Sequence, residues 1–286
     1  MPVNHEDQCG VSATSMTAHA NGCSHDGLVH AAGGLATYLH ADRVAAAIRR
    51  RAAAGVRVTA LPKIGFFLDY DNFNHTNGYP GGPNTPQWAL PHSSTGAANY
   101  SMWMKNVYQM QNVTFGEDGA LSPACLAKHQ DDPHLCFMAP HMVETIQTPL
   151  FILNSRFDEW QLVNIFQSTW ETKTQMAGVL AYGQAFLDQF QPVLDSNIHG
   201  SIIGTCICHC TPSTAVRTNS TAPIPFAELY ADWYYGKTNG GIESMYIERL
   251  LPNANGTDGT RTGNPRGSCY SFPGCNSQAQ PWCSAV

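Results

Sequence analysis

Three residues of this chain have side chains and an order suited to acyl transfer: Ser24, Asp158 and His209. A serine hydroxyl is a weak nucleophile until an imidazole accepts its proton, and the imidazole works best when a carboxylate fixes its tautomer. Each residue also has an ordinary reading. Asp158 lies in NSRFDEWQL, just after the apolar run PLFIL (149–153) and just before a helical stretch. That is the carboxyl edge of a strand, where open α/β sheets gather their active sites. It is equally the place for an aspartate that caps a helix N-terminus. His209 lies in GTCICHC (204–210), past the apolar strand that runs from Ser201 to Thr205. A CxCHC run invites a zinc reading. Structural zinc, however, wants a second pair of ligands elsewhere, and Cys206, Cys208 and Cys210 share one face of an extended chain while His209 takes the other. No metal ligand is therefore assigned, and a buried structural histidine stays open beside a general base.

Ser24 must be placed by whatever surrounds it. The stretch reads GCSHDGLVHAAGGLATYLHADRV (22–44), and its small residues lead into a helix expected from about Gly33 to Ala54. A small-residue turn feeding a helix N-terminus is how a nucleophile elbow is built, with backbone N–H groups facing the developing oxyanion. Here HDGLVHA (25–31) separates Ser24 from that helix, and deleting those seven residues would give an unbroken GCSAGG. Downstream, 56–61 and 64–68 read as buried strand segments divided by Pro62. Residues 69–94 are a Gly-, Pro- and Asn-rich loop. Helices are expected over 99–111, after NSRFDEWQL to about Glu171, over 178–190 and over 226–235. Strands are expected over 149–153 and 201–205. Residues 1–30 and the Gly-, Asn- and Cys-rich tail beyond 251 carry no helix or strand signal.

With these segments in view, GCS…AGGLATYLHADRV resembles the signature of the pectin acetylesterase/Notum family of carboxylesterases. NSRFDEWQ is similar to the family's N-x-x-[YF]-D-x-W-Q, and TCICHC to its S-C-x-x-H-C, with Thr205 in place of the serine. The likeness extends through GFFLDYDNFN, MWMKNVY, SPACLAKH and DWYYG, over roughly residues 31–240. It implies an α/β fold of the α/β-hydrolase-like kind, a mostly parallel sheet flanked by helices, with the N-terminal strands incomplete in this chain. It implies three regions: an atypical irregular segment over 1–30, a pectin acetylesterase-like α/β domain over 31–250 and a Cys/Gly-rich tail over 251–286. It further implies catalytic roles for Ser24 as nucleophile, Asp158 as orienting acid and His209 as general base. No metal or organic cofactor is implied, and the expected partner is an acylated polysaccharide or another ester. Cys125 and Cys136, closing a short loop, are the preferred disulfide pair.

Composition narrows the remaining classes. A net charge of −6 with 15 Lys and Arg argues against a nucleic-acid surface, since Arg49–Arg51 make too small a patch. No apolar run approaches the ~20 residues of a membrane span. Ten cysteines and the five sequons at Asn74, Asn99, Asn112, Asn219 and Asn255 favour an extracellular or secretory-pathway protein. MPVNHEDQCGVSATSM has no secretory signal, and the family's glycine-rich GGGWC-like oxyanion segment has no counterpart here. The expectation is of a chain that begins inside the family's domain.

Aligned without a gap on AGGLATYLH, Ala31 falls where the family's serine belongs; aligned on GCS, seven residues intervene. Either way the elbow is interrupted, and carboxylesterase activity is expected to be impaired. The alternative is an inactive family member that binds glycans or another ligand, with Tyr79, Trp88 and Trp103 available to stack on sugar rings.

Overall fold

The computed structural model describes residues 28–70, 100–113, 121–168, 172–205, 207–209, 215–216, 224–236, 245–247 and 269–270. The expectations for Ser24, the loop beyond residue 70, Cys206, Cys210 and every sequon asparagine except Asn112 lie outside those residues. The helices, in chain order, are α1 (Leu28–Arg49), α2 (Tyr100–Met110), α3 (Pro123–Lys128), α4 (Ala139–Met142), α5 (Glu159–Asn164), α6 (Lys173–Leu194) and α7 (Phe226–Tyr235). The strands are β1 (Phe151–Ser155), β2 (Gly200–Gly204), β3 (Ile207–Cys208), β4 (Ala215–Val216), β5 (Ile224–Pro225), β6 (Met245–Ile247) and β7 (Cys269–Tyr270).

A parallel sheet in the order β1-β2-β6 organises the fold, with Phe151 opposite Gly200 and Ser155 opposite Gly204. All five residues of β1 and of β2 are buried, as expected for parallel strands covered on both faces. One face packs on a large core in which Tyr38 of α1 and Phe186 and Phe190 of α6 surround Phe66. The other packs on α7, whose Phe226, Tyr230 and Trp233 rings meet Phe151. The described residues thus form an α/β-hydrolase-like fold.

Several boundaries differ from the sequence expectation, each for a physical reason. Helix α1 begins at Leu28 rather than Gly33, so residues 28–30 are helical and Ala32-Gly33-Gly34 lie inside the helix. Gly34 is there for a close approach: a Cβ on it would lie 1.7 Å from the carbonyl oxygen of Ile64. Gly65, at φ +101°, meets Leu35 N from the other side. The segments at 56–61 and 64–68 run beside β1 but join it only through bridges at Ala60 and Lys63. Pro62 and the positive φ of Ile64 and Gly65 break the ladder. The amides of Phe66 and Leu68 donate instead to the side chains of Asn154 and Gln161. Helix α5 is shorter than expected and α6 longer, the latter opened by a Thr172–Gln175 capping box. The tail is not wholly irregular, because Cys269–Tyr270 pairs antiparallel with Ile207–Cys208. A two-residue strand is too short to leave a periodic signal.

Two long-range hydrogen-bonded ties, from Asp42 and from His199, seat the sheet, and a short disulfide loop braces the segment before it. The Asp42 carboxylate of α1 accepts the Gln147 and Thr148 amides just before β1. Cys125 and Cys136 form the expected disulfide, and cross-linking a loop of that length restricts the unfolded chain by about 3 kcal/mol. His199, buried at the start of β2, accepts the Leu150 amide on Nδ1 at 3.2 Å. Burial lowers its pKa to about 4.

The depressed His199 pKa gives a signed prediction. Between pH 6.5 and about 4 the unfolded chain binds a proton there that the folded chain refuses. Stability is therefore full above pH 6.5 and falls by up to about 3 kcal/mol as pH drops toward 4. Burial lowers His40, His129 and His134 as well, so they act in the same direction. Urea melts of the wild type and of His199→Asn at pH 7.5, 6 and 4.5 should show a shallower loss in the variant.

Candidate active site

The site is built outward from the end of β1. Ser155 closes the strand and its hydroxyl accepts the Phe157 amide, turning the chain so that Asp158 begins α5. The Asp158 carboxylate accepts the Gln161 amide at 2.9 Å and so caps the helix. Phe157 is fixed from the opposite side by α6, where a Cβ on Gly183 would lie 2.1 Å from its ring. Asp158 is thus placed by a strand end, a helix start and a packed ring together.

The second half arrives from β2. Beyond Gly204 the chain passes Thr205, enters β3 and delivers His209 to the same carboxylate. Its Nδ1 lies 2.8 Å from Oδ2 and 3.0 Å from Oδ1 of Asp158. Both side chains are buried, the aspartate fully and the histidine to 7% exposure. An ionised carboxylate only accepts, so Nδ1 carries the proton and Nε2 is left as the basic nitrogen. One carboxylate therefore both caps α5 and grips the imidazole. That dyad can take a proton on Nε2 and stabilise the resulting imidazolium.

Two neighbours to which the sequence reading gave no role complete the surroundings. The Trp160 indole stacks on His209, with centroids 6.2 Å apart and planes inclined by 26°. Gln161 is a hub: its Oε1 accepts the Leu68 amide and the Tyr182 hydroxyl, and its Nε2 donates to the Phe66 carbonyl. Burial pushes the Tyr182 hydroxyl well above its usual pKa, which keeps it a donor. The Asp-x-Trp-Gln spacing over 158–161 was the available signal for both neighbours.

The serine expectation stands differently. Ser24 lies outside the described residues, and Ala31, the ungapped counterpart of the family's serine, lies within α1. Among the described residues no group of three His, Cys, Asp or Glu side chains could hold a metal ion, and no helix is long and apolar enough to cross a membrane. Trp103 is half-buried on α2, while Tyr79 and Trp88 lie outside the described residues.

Comparison with known proteins bears directly on this geometry. The pectinacetylesterase family profile matches residues 91–252, more than half the chain and the span that holds Asp158 and His209. The chain belongs to the pectinacetylesterase family. Among curated relatives, it is 23% identical over 247 residues to pectin acetylesterase 11 of Arabidopsis thaliana, covering 79% of this chain and 54% of the relative. With pectin acetylesterase 7 of the same plant it shares 25% identity over 245 residues, covering 78% and 53%. The chain spans about half the length of the curated relatives it matches. Of solved structures, the Wnt deacylase Notum from Drosophila superposes with a TM-score of 0.56 at 17% identity, covering 76% of this chain and 53% of that one. A second crystal form gives 0.55 at 18%, over the same shares. Notum and this pectinacetylesterase-family chain share the fold.

The double use of Asp158 can be separated by substitution. Asn also caps helices, so Asp158→Asn should keep α5 while losing the charged acceptor of His209. Asp158→Ala should lose the cap too and melt lower, by about 1–2 kcal/mol relative to Asn. Chemical denaturation measures that difference, and in both variants the downfield Nδ1–H proton signal of His209 should disappear. Gly183→Ala should cost about 1–3 kcal/mol, because the added methyl overlaps Phe157 in a close-packed core; its melting temperature is the check.

Proposed function

We propose that this chain carries the acid–base half of a serine carboxylesterase of the pectin acetylesterase type, acting on an acetyl ester of a polysaccharide. One observation carries the reading: the buried contact of Asp158 with His209 Nδ1, which presents Nε2 as the base. In the reaction, the Ser24 hydroxyl gives its proton to His209 Nε2 as its oxygen attacks the acyl carbon. His209 then returns the proton to the departing sugar oxygen. Water, deprotonated by the same nitrogen, attacks the acyl-serine carbonyl, and His209 returns that proton to the departing Ser24 oxygen as acetic acid is released and ionises to acetate. Asp158 stays ionised throughout and holds the imidazole in register. Substrate class is supported by membership of the pectinacetylesterase family and by the names of the curated relatives. A secreted setting is supported by the disulfide and by the sequons, of which Asn112 is exposed at the end of α2.

The chain as it stands is a weak esterase at most. An elbow works by holding its serine in a strained turn at the head of the helix. Here α1 runs uninterrupted from Leu28, through the position at which the family's serine aligns. That observation favours a second reading, in which the dyad is retained in a binding protein without turnover.

Hydrolysis of p-nitrophenyl acetate tests both. The wild type should show little turnover above buffer. Deleting His25–Ala31, which joins GCS to AGG, should raise it. In that background Asp158→Asn should lower kcat by about 10⁴ and Ser24→Ala by a comparable or larger factor. A deletion variant that folds, shows the His209–Asp158 proton signal and still fails to turn over would leave the binding protein as the better account.

A further inference from the structure

We propose that Trp160 is a positioning residue for His209, packing along the face of the imidazole whose edge Asp158 holds. The carboxylate meets Nδ1 through both oxygens, at 2.8 and 3.0 Å, and this sets where that nitrogen sits. That contact supports the ring at its edge, and a packed side chain can support its face. Trp160 does so, with its plane inclined by 26° to the imidazole and its centroid 6.2 Å away, an offset stack within the range where aromatic pairs attract.

Trp160 is itself held. Its indole contacts Phe67 at 4.9 Å and Tyr100 at 6.2 Å, and Tyr100 also meets Phe67. The three rings form a bracket that ties the first turn of α5 to the 64–68 segment and to the start of α2. Trp160 is also two residues from Asp158 on the same helix start, so the edge support and the face support move as one body. Nearby charges on that turn are Arg156 and Glu159, one on each side of the Phe157–Asp158 pair.

A π face also favours an imidazolium over a neutral imidazole, although at 6.2 Å the stack is at the outer limit of that attraction. The main effect is thus orientation, with a small favourable contribution to the protonated ring. For the chemistry, this deepens the esterase reading and rests on it: a base whose plane is fixed keeps Nε2 on the line of proton transfer.

The experiment follows the His209 ring by NMR in the full chain, for the wild type, Trp160→Phe and Trp160→Leu, with circular dichroism to confirm folding. Leu keeps apolar bulk without a π face, and Phe keeps the face. In Trp160→Phe the downfield Nδ1–H proton and the titration midpoint should stay close to wild type. Trp160→Leu should broaden or lose that proton and lower the midpoint by about half a pH unit. In the His25–Ala31 deletion background, Leu should lower kcat by about tenfold or more with KM little changed, and Phe should recover most of it. A folded Trp160→Leu variant with a sharp Nδ1–H signal and an unmoved midpoint overturns the positioning role. A deletion variant with no turnover, combined with the expected NMR changes, would count against the esterase reading while leaving Trp160's role intact.

Discussion

One carboxylate joins the two halves of this structure. Asp158 closes the start of α5 through the Gln161 amide and grips His209 through Nδ1, and it is fully buried while doing so. A buried carboxylate without partners would be driven to its neutral form. Here its oxygens accept from a helix N-terminus, whose dipole favours negative charge, and from an imidazole N–H. The capping bond and the histidine bond use the two oxygens of one carboxylate, so each helps to hold it in place for the other. The sheet provides the required convergence: β1 and β2 are adjacent and parallel in register, so the chain segments leaving their carboxyl ends meet.

Around that pair, the described residues supply supports. Gln161 links α5 to the 64–68 segment and to Tyr182 of α6, and Gly183 lets Phe157, the residue before Asp158, press against α6. The result is a dyad whose members come from different strands but share one rigid surround. The dyad is thereby preorganised, with both members held in place by packing and hydrogen bonds.

Much of this arrangement was legible in the residues. The apolar runs at 149–153 and 201–205 marked the two central strands, and the polar residues just past them marked the site. FAELYADWYY reads as a helix, and it is one. What was hidden depended on tertiary contact. Gly33-Gly34 looked like a helix start, yet Gly34 is spaced for the Ile64 carbonyl and the helix begins earlier. The 56–68 stretch had strand composition, but Pro62 and two positive-φ residues moved its hydrogen bonds onto side chains. Asp158 offered two readings from its place between a strand end and a helix start, but its contact with His209, 51 residues on, depends on the tertiary fold.

That transfer of backbone bonding onto distant side chains has a consequence for biosynthesis. The amides of Phe66 and Leu68 find their acceptors 88 and 93 residues later in the chain. During translation GFFL emerges long before Asn154 and Gln161 exist, so a hydrophobic, β-prone stretch waits without its native acceptors. The nascent polypeptide is thus exposed to aberrant association for the whole interval, and its folding is gated by closure of that long loop.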